Sequence, residues 1–205
     1  MKKLIYVGDP MCSWCYGFAP VISHICENYS DQLDMTLMLG GLYTGGQTYQ
    51  DDKRIAFLQK TWKQISELSG QPFDFTMLDK KDWLYDTELS CRAVVAVRRI
   101  SQDKTFRYFH EVQTNFYAKG WDSQSEETFS KAAESIDIDA DKFLDELRKP
   151  DCIEETRQDF KLTRQMGVSG YPTVLLNDEN GWAMLTTGYQ QLSLVDSRLK
   201  SWLQS

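Results

Sequence analysis

The alternation of apolar and polar positions predicts a strand, a helix and a second strand at the start of the chain. Residues 4–7 form a short apolar run, which a Gly-Asp-Pro turn ends. Over Cys15–Tyr29, apolar side chains recur every three or four residues, which places them on one face of a helix that begins near Cys12. Apolar and polar residues alternate over Leu33–Leu39, as in a strand. We therefore expect a right-handed β-α-β unit with parallel strands.

The middle of the chain, residues 49–148, carries helical patterns and no convincing strand. Within it, Thr87 precedes a mostly apolar run and is predicted to be a helix N-cap. After a further helix, residues 173–176 and 182–186 predict a β-hairpin, and a last amphipathic helix follows. The sequence thus predicts an α/β fold with the topology of thioredoxin, made of a domain at 1–48 and 149–205 and an inserted helical domain at 49–148.

Composition and charge narrow the classes of partner. The formal net charge is -7, whereas nucleic acids and anionic membranes favour basic patches, so we expect neither as a partner. No stretch reaches the ~18 apolar residues that a membrane span requires. The first apolar run is also too short for the hydrophobic region of a signal peptide, so we expect a cytoplasmic location.

A pair of closely spaced cysteines stands where the first strand gives way to the helix. The motif is Cys12-Ser13-Trp14-Cys15. Unpaired amides at a helix N-terminus favour an anion, and such positions lower cysteine pKa values from ~8.5 into the range of roughly 3.5 to 7.5. We expect Cys12 to attack as a thiolate and Cys15, one helical turn later, to resolve the mixed disulfide. Ser13 and Trp14 are expected to tune the reduction potential and to contact substrate.

A zinc half-site and a pair of buried structural cysteines are the other interpretations of this motif. The remaining cysteines, Cys26, Cys91 and Cys152, are widely separated, and no second Cys-x-x-Cys or His-x-x-x-His motif completes a set of four ligands. We therefore predict no metal and no cofactor. Cys26 and Cys91 are expected in the core. Acidic neighbours are expected to oppose ionisation of Cys152.

Two other features carry no predicted chemistry. His24 and His110 each lie in a helical pattern without a partner motif, so neither is assigned a catalytic role. The segment Gly40–Gly46 is rich in glycine but lacks the Lys and Ser/Thr ending of a phosphate-binding loop. We interpret it as a flexible connection.

Four stretches of the chain resemble the DsbA-like branch of the thioredoxin superfamily, in particular the cytoplasmic protein-disulfide isomerase-like and FrnE-type proteins. They are Asp9 to Phe18, Tyr85 through Arg98, Phe116-Tyr117 and Gly167 to Thr173. The resemblance implies that Pro172 is a cis-proline facing the cysteine pair. It also implies that Tyr171 presents backbone groups to an extended substrate peptide.

The sequence departs from the family at one position that bears on proton transfer. Some relatives carry a glutamate six residues before the nucleophile, where this chain has Tyr6. No carboxylate is therefore assigned as a base, and Asp9 is only a nearby candidate.

Three functions remain open from the sequence, and one of them is a redox-inert binding module that uses the exposed groove between the two subdomains. The first is a thiol-disulfide oxidoreductase or isomerase that acts on thiol- or disulfide-containing proteins, peptides or small molecules. The alternative is a glutathione-dependent isomerase or a kappa-class-like glutathione transferase, since those enzymes share the fold and the helical insertion. They place serine where this chain has Cys12 and do not need a second cysteine, which favours the first function.

Overall fold

The computed structural model describes residues 2–45, 51–79 and 84–205. The predicted boundary between residues 48 and 49 and the last glycine of the glycine-rich segment, Gly46, lie outside the described residues. The division of the chain into two domains therefore stays a proposal.

A four-stranded mixed sheet forms the base of the fold, with the order β2-β1-β3-β4. The strands are β1 at Lys2–Gly8, β2 at Leu33–Leu39, β3 at Thr173–Asp178 and β4 at Gly181–Thr187. β1 and β2 are parallel, and helix α1 at Ser13–Tyr29 joins them. β3 runs antiparallel to both β1 and β4. The parallel strands of the predicted β-α-β unit and the predicted hairpin are thus confirmed, as is the α/β thioredoxin-like fold.

The elements described between β2 and β3 are all helical, in agreement with the sequence pattern. The α-helices are α2 at Asp52–Ser69, α3 at Glu88–Ile100, α4 at Thr105–Tyr117, α5 at Glu126–Glu134, α6 at Ala140–Leu147 and α7 at Pro150–Gln165. Short 3-10 turns occur at Phe75–Asp79 and Gln102–Lys104, and α8 at Leu192–Gln204 closes the fold. In the described ranges, no helix combines the length and apolar character needed to cross a membrane.

The sheet and the helices after β2 share one hydrophobic core. Tyr6 of β1 and Phe18 of α1 belong to the same buried cluster as Val94 of α3 and Phe143 of α6. A second cluster, which we call the aromatic cluster, packs α2 against α4 and reaches the residue before the cysteine motif; it comprises Met11, Tyr16, Leu58, Trp62, Met77, Leu78, Tyr85, Phe116 and Tyr117. The helical segment therefore packs directly against the start of α1.

Candidate active site

Cys12 is the N-cap residue of α1, with φ -87 and ψ 113. Its Sγ accepts a hydrogen bond from the backbone N–H of Cys15 at 3.4 Å. Its own N–H donates to the carbonyl of Asp9, and its carbonyl accepts from the N–H of Tyr16, both at 3.0 Å. No acidic side chain occupies the first turn of α1. The sulfur therefore lies where the helix offers an unpaired amide, as the sequence predicts, and negative charge on it is favoured.

Cys12 faces the loop that enters β3. The Tyr171–Pro172 peptide bond is cis, as the resemblance implies. The Cys12 Sγ lies 3.7 Å from the carbonyl oxygen of Tyr171. The Tyr171 hydroxyl donates to the carbonyl of Gly40 at 2.7 Å, and a Cβ at Gly40 would lie 2.2 Å from the Tyr171 ring. Glycine at position 40 thus lets the tyrosine anchor the loop that carries Pro172 opposite the cysteine pair.

Cys15 differs from Cys12 in being fully enclosed, with 0% of its surface exposed. Burial raises the pKa of the Cys15 thiol well above its ordinary value, and the neighbouring Cys12 sulfur adds to the rise. A hydrogen bond from the backbone of Asp9 acts in the opposite direction. Only Cys12 retains exposed surface, at 5%, which fits it for meeting a second molecule.

Asp9 lies completely buried beneath the cysteine motif and accepts four hydrogen bonds. The donors are the N–H of Met11 at 2.8 Å, the N–H of Leu42 at 2.7 Å, the hydroxyl of Thr87 at 2.9 Å and the thiol of Cys91 at 3.4 Å. Burial raises the pKa of the Asp9 carboxyl, although these donors each lower it. One carboxylate thus ties β1 to the loop after β2 and to the start of α3.

These contacts confirm one prediction from the sequence and correct another. Thr87 is the N-cap residue of α3, as predicted, but its side chain makes no capping hydrogen bond because its hydroxyl donates to Asp9. The described part of the glycine-rich segment, residues 40–45, is anchored rather than a flexible connection. In it the N–H of Gly40 donates to the carbonyl of Gly8, and the N–H of Tyr43 donates to Thr87 Oγ1.

The carbonyl of Met11, immediately before Cys12, accepts hydrogen bonds from two buried tyrosines. Tyr117 of α4 donates at 2.6 Å, and Tyr85, which precedes α3, also donates to it. Burial raises the pKa of both hydroxyls well above the ordinary value, so both remain protonated donors. We call this arrangement the tyrosine clamp.

Trp14 and Ser13 lie at the outer side of α1. Both side chains are partly exposed. The Trp14 ring lies 5.8 Å from the ring of Tyr189, whose hydroxyl donates to the carbonyl of Leu68 in α2. Trp14 and Tyr189 thus place two aromatic rings next to the motif.

The other three cysteines lie in or against the same hydrophobic core as the pair, outside the motif. Cys91 is buried as predicted, although its contact with Asp9 was not foreseen. Cys152 is buried as well, and burial raises its pKa to about 11. Cys26, predicted to be a core residue, is only partly buried. Among the residues that the structure describes, no group of His, Cys, Asp and Glu could hold a metal ion.

Two histidines complete the set of residues considered from sequence. His24 contacts Asp196 of α8 at 3.3 Å, and burial lowers the pKa of His110. Neither observation connects a histidine to the cysteine motif, so neither histidine gains a role there.

Comparison with known proteins gives a consistent picture. The family model of the DSBA-like thioredoxin domain matches residues 3–200. The chain is similar to the ClpXP adapter protein SpxH of Shouchella clausii, with 18% identity over 174 residues, which are 84% of this chain and 56% of the relative. The chain thus spans little more than half the length of that relative.

Solved structures resemble the chain along nearly its whole length. A candidate protein disulfide isomerase from Nitrosomonas europaea is 32% identical, with a TM-score of 0.90 and coverage of 99% of this chain and 98% of its own. The cytosolic disulfide reductase DsbM of Pseudomonas aeruginosa is 22% identical, with a TM-score of 0.81 and 98% coverage of both chains. The DsbM structure with GSH gives a TM-score of 0.79 at 22% identity and covers 99% of this chain and 100% of its own. The likeness to DsbM shows the shared fold.

Proposed function

Because the chain belongs to the DSBA-like thioredoxin domain family of thiol-disulfide oxidoreductases, we propose that Cys12 and Cys15 are its redox pair. Cys12 is the nucleophile and Cys15 the resolving thiol. Ser13, Trp14, Tyr171 and Pro172 form the surface that meets substrate.

The observation that carries this proposal is the position of the Cys12 sulfur. It accepts an amide hydrogen bond at the tip of α1 and lies 3.7 Å from the carbonyl of Tyr171. A sulfur held in this way gains stabilisation of its negative charge and adjoins a backbone edge at which an extended peptide can bind. The enclosed Cys15 is suited to the intramolecular step, because only Cys12 has to reach it.

The proposed reaction is two consecutive thiol-disulfide exchanges. The Cys12 thiolate attacks one sulfur of a substrate disulfide, forms a mixed disulfide and releases the other substrate sulfur as a thiolate. The Cys15 thiolate then attacks Cys12 Sγ, forms the Cys12–Cys15 disulfide and releases the second substrate thiolate. The substrate gains two electrons, and the two protons lost by the cysteines end on the two product thiols. The reverse sequence oxidises a dithiol.

We further propose that the substrates are protein, peptide or small-molecule disulfides in the cytoplasm, and that glutathione is a candidate reductant for the oxidised pair. The N. europaea neighbour, the cytosolic DsbM neighbour and its structure with GSH support these choices. Two molecules of glutathione would supply the two electrons and leave as glutathione disulfide.

Trapping tests the assignment of the pair. Cys15→Ala should accumulate a mixed disulfide through Cys12 with a disulfide substrate, as detected by intact-mass spectrometry, because the resolving step is lost. Cys12→Ser should lose exchange down to the background rate, whereas Cys26→Ser, a partly exposed thiol elsewhere on α1, should retain it. If Cys15→Ala forms no adduct while exchange survives Cys12→Ser, the assignment is wrong.

The same variants separate the alternative function. A glutathione-dependent isomerase or transferase would show saturable glutathione binding and keep its activity after Cys15→Ala. The dithiol mechanism instead requires that Cys15→Ala stop turnover after a single exchange.

A further inference from the structure

The hydroxyl of Tyr6 is buried without a hydrogen bond. Tyr6 lies in the middle of β1 with 0% of its surface exposed, and among the residues that the structure describes its hydroxyl has no hydrogen-bond partner. A buried hydroxyl left unpaired is unfavourable, since it gives up its hydrogen bonds to water. Phenylalanine would fill the same space without this cost. Stability therefore does not explain the hydroxyl, whereas a role in the reaction would.

Three aromatic rings set the direction of the Tyr6 side chain. Phe18 of α1 stacks on it with a centroid distance of 6.0 Å and an interplanar angle of 24°. Phe109 meets it edge-on at 5.8 Å and 87°, and Phe106 lies at 6.4 Å. A Cβ at Gly8 would lie 3.1 Å from the Tyr6 hydroxyl. The hydroxyl therefore reaches the end of β1, where the chain turns into the cysteine motif.

The group that the hydroxyl approaches there is the resolving thiol. Cys15 lies three residues before Phe18 on α1 and in the same buried cluster as Tyr6. The pKa of Tyr6 is raised well above its ordinary value, first by burial and then by the neighbouring sulfurs of Cys15 and Cys12. The phenol therefore keeps its proton throughout the neutral pH range.

We propose that the Tyr6 hydroxyl donates a hydrogen bond to the Cys15 sulfur whenever that sulfur carries negative charge in the exchange reaction. The backbone of Asp9 provides the second hydrogen bond. Together the two form a small binding site for the resolving thiolate. This inference rests on the proposed function, in which Cys15 attacks Cys12 or leaves from it as a thiolate.

The proposal explains why the hydroxyl is unpaired in the reduced, neutral pair. When Cys15 attacks the mixed disulfide, its thiolate charge passes through Cys12 Sγ to the departing substrate sulfur. In the reverse step the charge returns to Cys15. In neither direction does Tyr6 lose its proton, so it acts as a donor and not as a base. A donor whose partner acquires charge only during the reaction stabilises the transition state more than the ground state.

Reduction of 5,5′-dithiobis(2-nitrobenzoate), a small aromatic disulfide, separates the two exchanges. In a Cys26→Ser background that removes the partly exposed thiol, the first nitrothiobenzoate released reports attack by Cys12, and the second reports resolution by Cys15. Tyr6→Phe should slow the second release about tenfold, the size expected for a hydrogen bond to a charged group, and leave the first within about twofold. Tyr108→Phe is the matched control, because it removes another buried hydroxyl, one that donates to the carbonyl of Phe129.

An equilibrium measurement guards against an indirect effect on folding. In a Cys12→Ser background, the thiolate absorbance of Cys15 near 240 nm should rise at higher pH after Tyr6→Phe, and not after Tyr108→Phe. The proposal is overturned if Tyr6→Phe leaves both the second release and this titration unchanged, or if it slows both releases equally. If the protein with Tyr6 intact releases no second equivalent, it is the proposed function that fails.

Discussion

Two helices of this protein carry a cysteine at the N-terminal end, and the structure treats the two thiols in opposite ways. At α1, Cys12 is the N-cap residue itself, and its Sγ accepts the N–H of Cys15. At α7, Cys152 is the third helical residue after the N-cap Lys149. Its Sγ lies 3.7 Å from the carbonyl of Arg92, the distance that Cys12 Sγ also keeps from the carbonyl of Tyr171, so the amide hydrogen bond to Cys12 Sγ is the difference between the two sulfurs.

The surroundings increase the difference. The first turn of α1 holds no acidic residue, whereas that of α7 holds Asp151. Burial is the largest cause that raises the pKa of Cys152 to about 11; Arg99 and Arg92 lower this pKa, whereas Glu146 and Glu155 raise it. The expected influence of acidic neighbours is thus present, but it is secondary to burial. The comparison teaches that a position near a helix N-terminus does not by itself give a sulfur an amide hydrogen bond, which Cys12 Sγ receives.

Alkylation rates test the contrast between Cys12 and Cys152 most directly. At pH 7 we expect iodoacetamide to modify Cys12 at least about 100-fold faster than Cys152, because a thiol with a pKa of about 11 holds very little thiolate at that pH. The labelling of Cys152 should rise as the pH approaches 11. Peptide mapping over a time course gives both rates. Cys26 serves as the reference, since burial also raises its pKa to about 11 but its side chain is partly exposed.

Equal labelling of Cys12 and Cys152 in the folded protein would refute the contrast. Faster labelling of Cys26 than of Cys152 would show that access adds to ionisation.

The loops that precede the two helices should differ in their contribution to stability. Asp9→Asn replaces an acceptor of four hydrogen bonds by a group that can accept on one side only, so the free energy of unfolding should fall by about 1–3 kcal/mol. Before α7, Lys149→Met removes a surface ion pair with Glu146 and should cost at most about 1 kcal/mol. Urea unfolding measures both. A larger loss for Lys149→Met would contradict this assignment.

The stability of the Asp9→Asn variant relative to the wild type should also depend on pH. Since burial raises the pKa of Asp9 above 3.8, the folded state binds its proton more tightly than the unfolded state. The stabilisation from protonated Asp9 is complete below pH 3.8 and is lost as the pH rises through the pKa of the folded state. The stability difference between the wild type and Asp9→Asn should therefore shrink as the pH rises from about 4.

The tyrosine clamp is a further difference between the two helix ends, because the structure describes no equivalent in front of Cys152. Tyr117→Phe should lower the free energy of unfolding by about 1 kcal/mol, a typical value for one hydrogen bond. The Tyr85→Phe/Tyr117→Phe double variant should lose more than the sum of the single variants, since the buried carbonyl of Met11 then has neither hydroxyl. Strict additivity in a double-mutant cycle would argue against a shared role.

The smallest effect is expected from giving α1 the acidic first turn of α7. Ser13→Asp adds a carboxylate beside Cys12 that competes for the same amides, so the alkylation rate of Cys12 should fall about two- to fivefold. Ser13→Asn, which has the same size and no charge, should leave the rate nearly unchanged. A faster rate for Ser13→Asp would mean that the field of the helix end does not govern this thiol.

The parts of the fold that sequence patterns could predict are those with local causes. The alternation over Leu33–Leu39 and the two runs of the hairpin mark strands, and the spacing of Cys12 and Cys15 marks the redox motif. The strands of the hairpin, predicted at residues 173–176 and 182–186, extend over Thr173–Asp178 and Gly181–Thr187 in the structure. Local chemistry therefore predicts elements well and their ends less well.

The network beneath the motif could not be predicted, because its contacts join distant parts of the chain. Asp9 and Thr87 are separated by 78 residues, and Met11 and Tyr117 by 106. A pattern of three or four residues carries no information on such pairs. The one available signal was Thr87, a polar residue at the start of an apolar helix; its position as the N-cap is confirmed, but the hydrogen bond from its hydroxyl to Asp9 could not be predicted.

The buried carboxylate of Asp9 also has a consequence for the dynamics of the site. Segments that bind or react are usually drawn from the parts of a protein that open most easily, and their amide protons exchange with solvent first. Here the amides of Met11 and Leu42 are held by a carboxylate that water does not reach. These protons should therefore exchange only when the molecule unfolds as a whole, which makes the segment before Cys12 part of the slowest-opening unit of the protein.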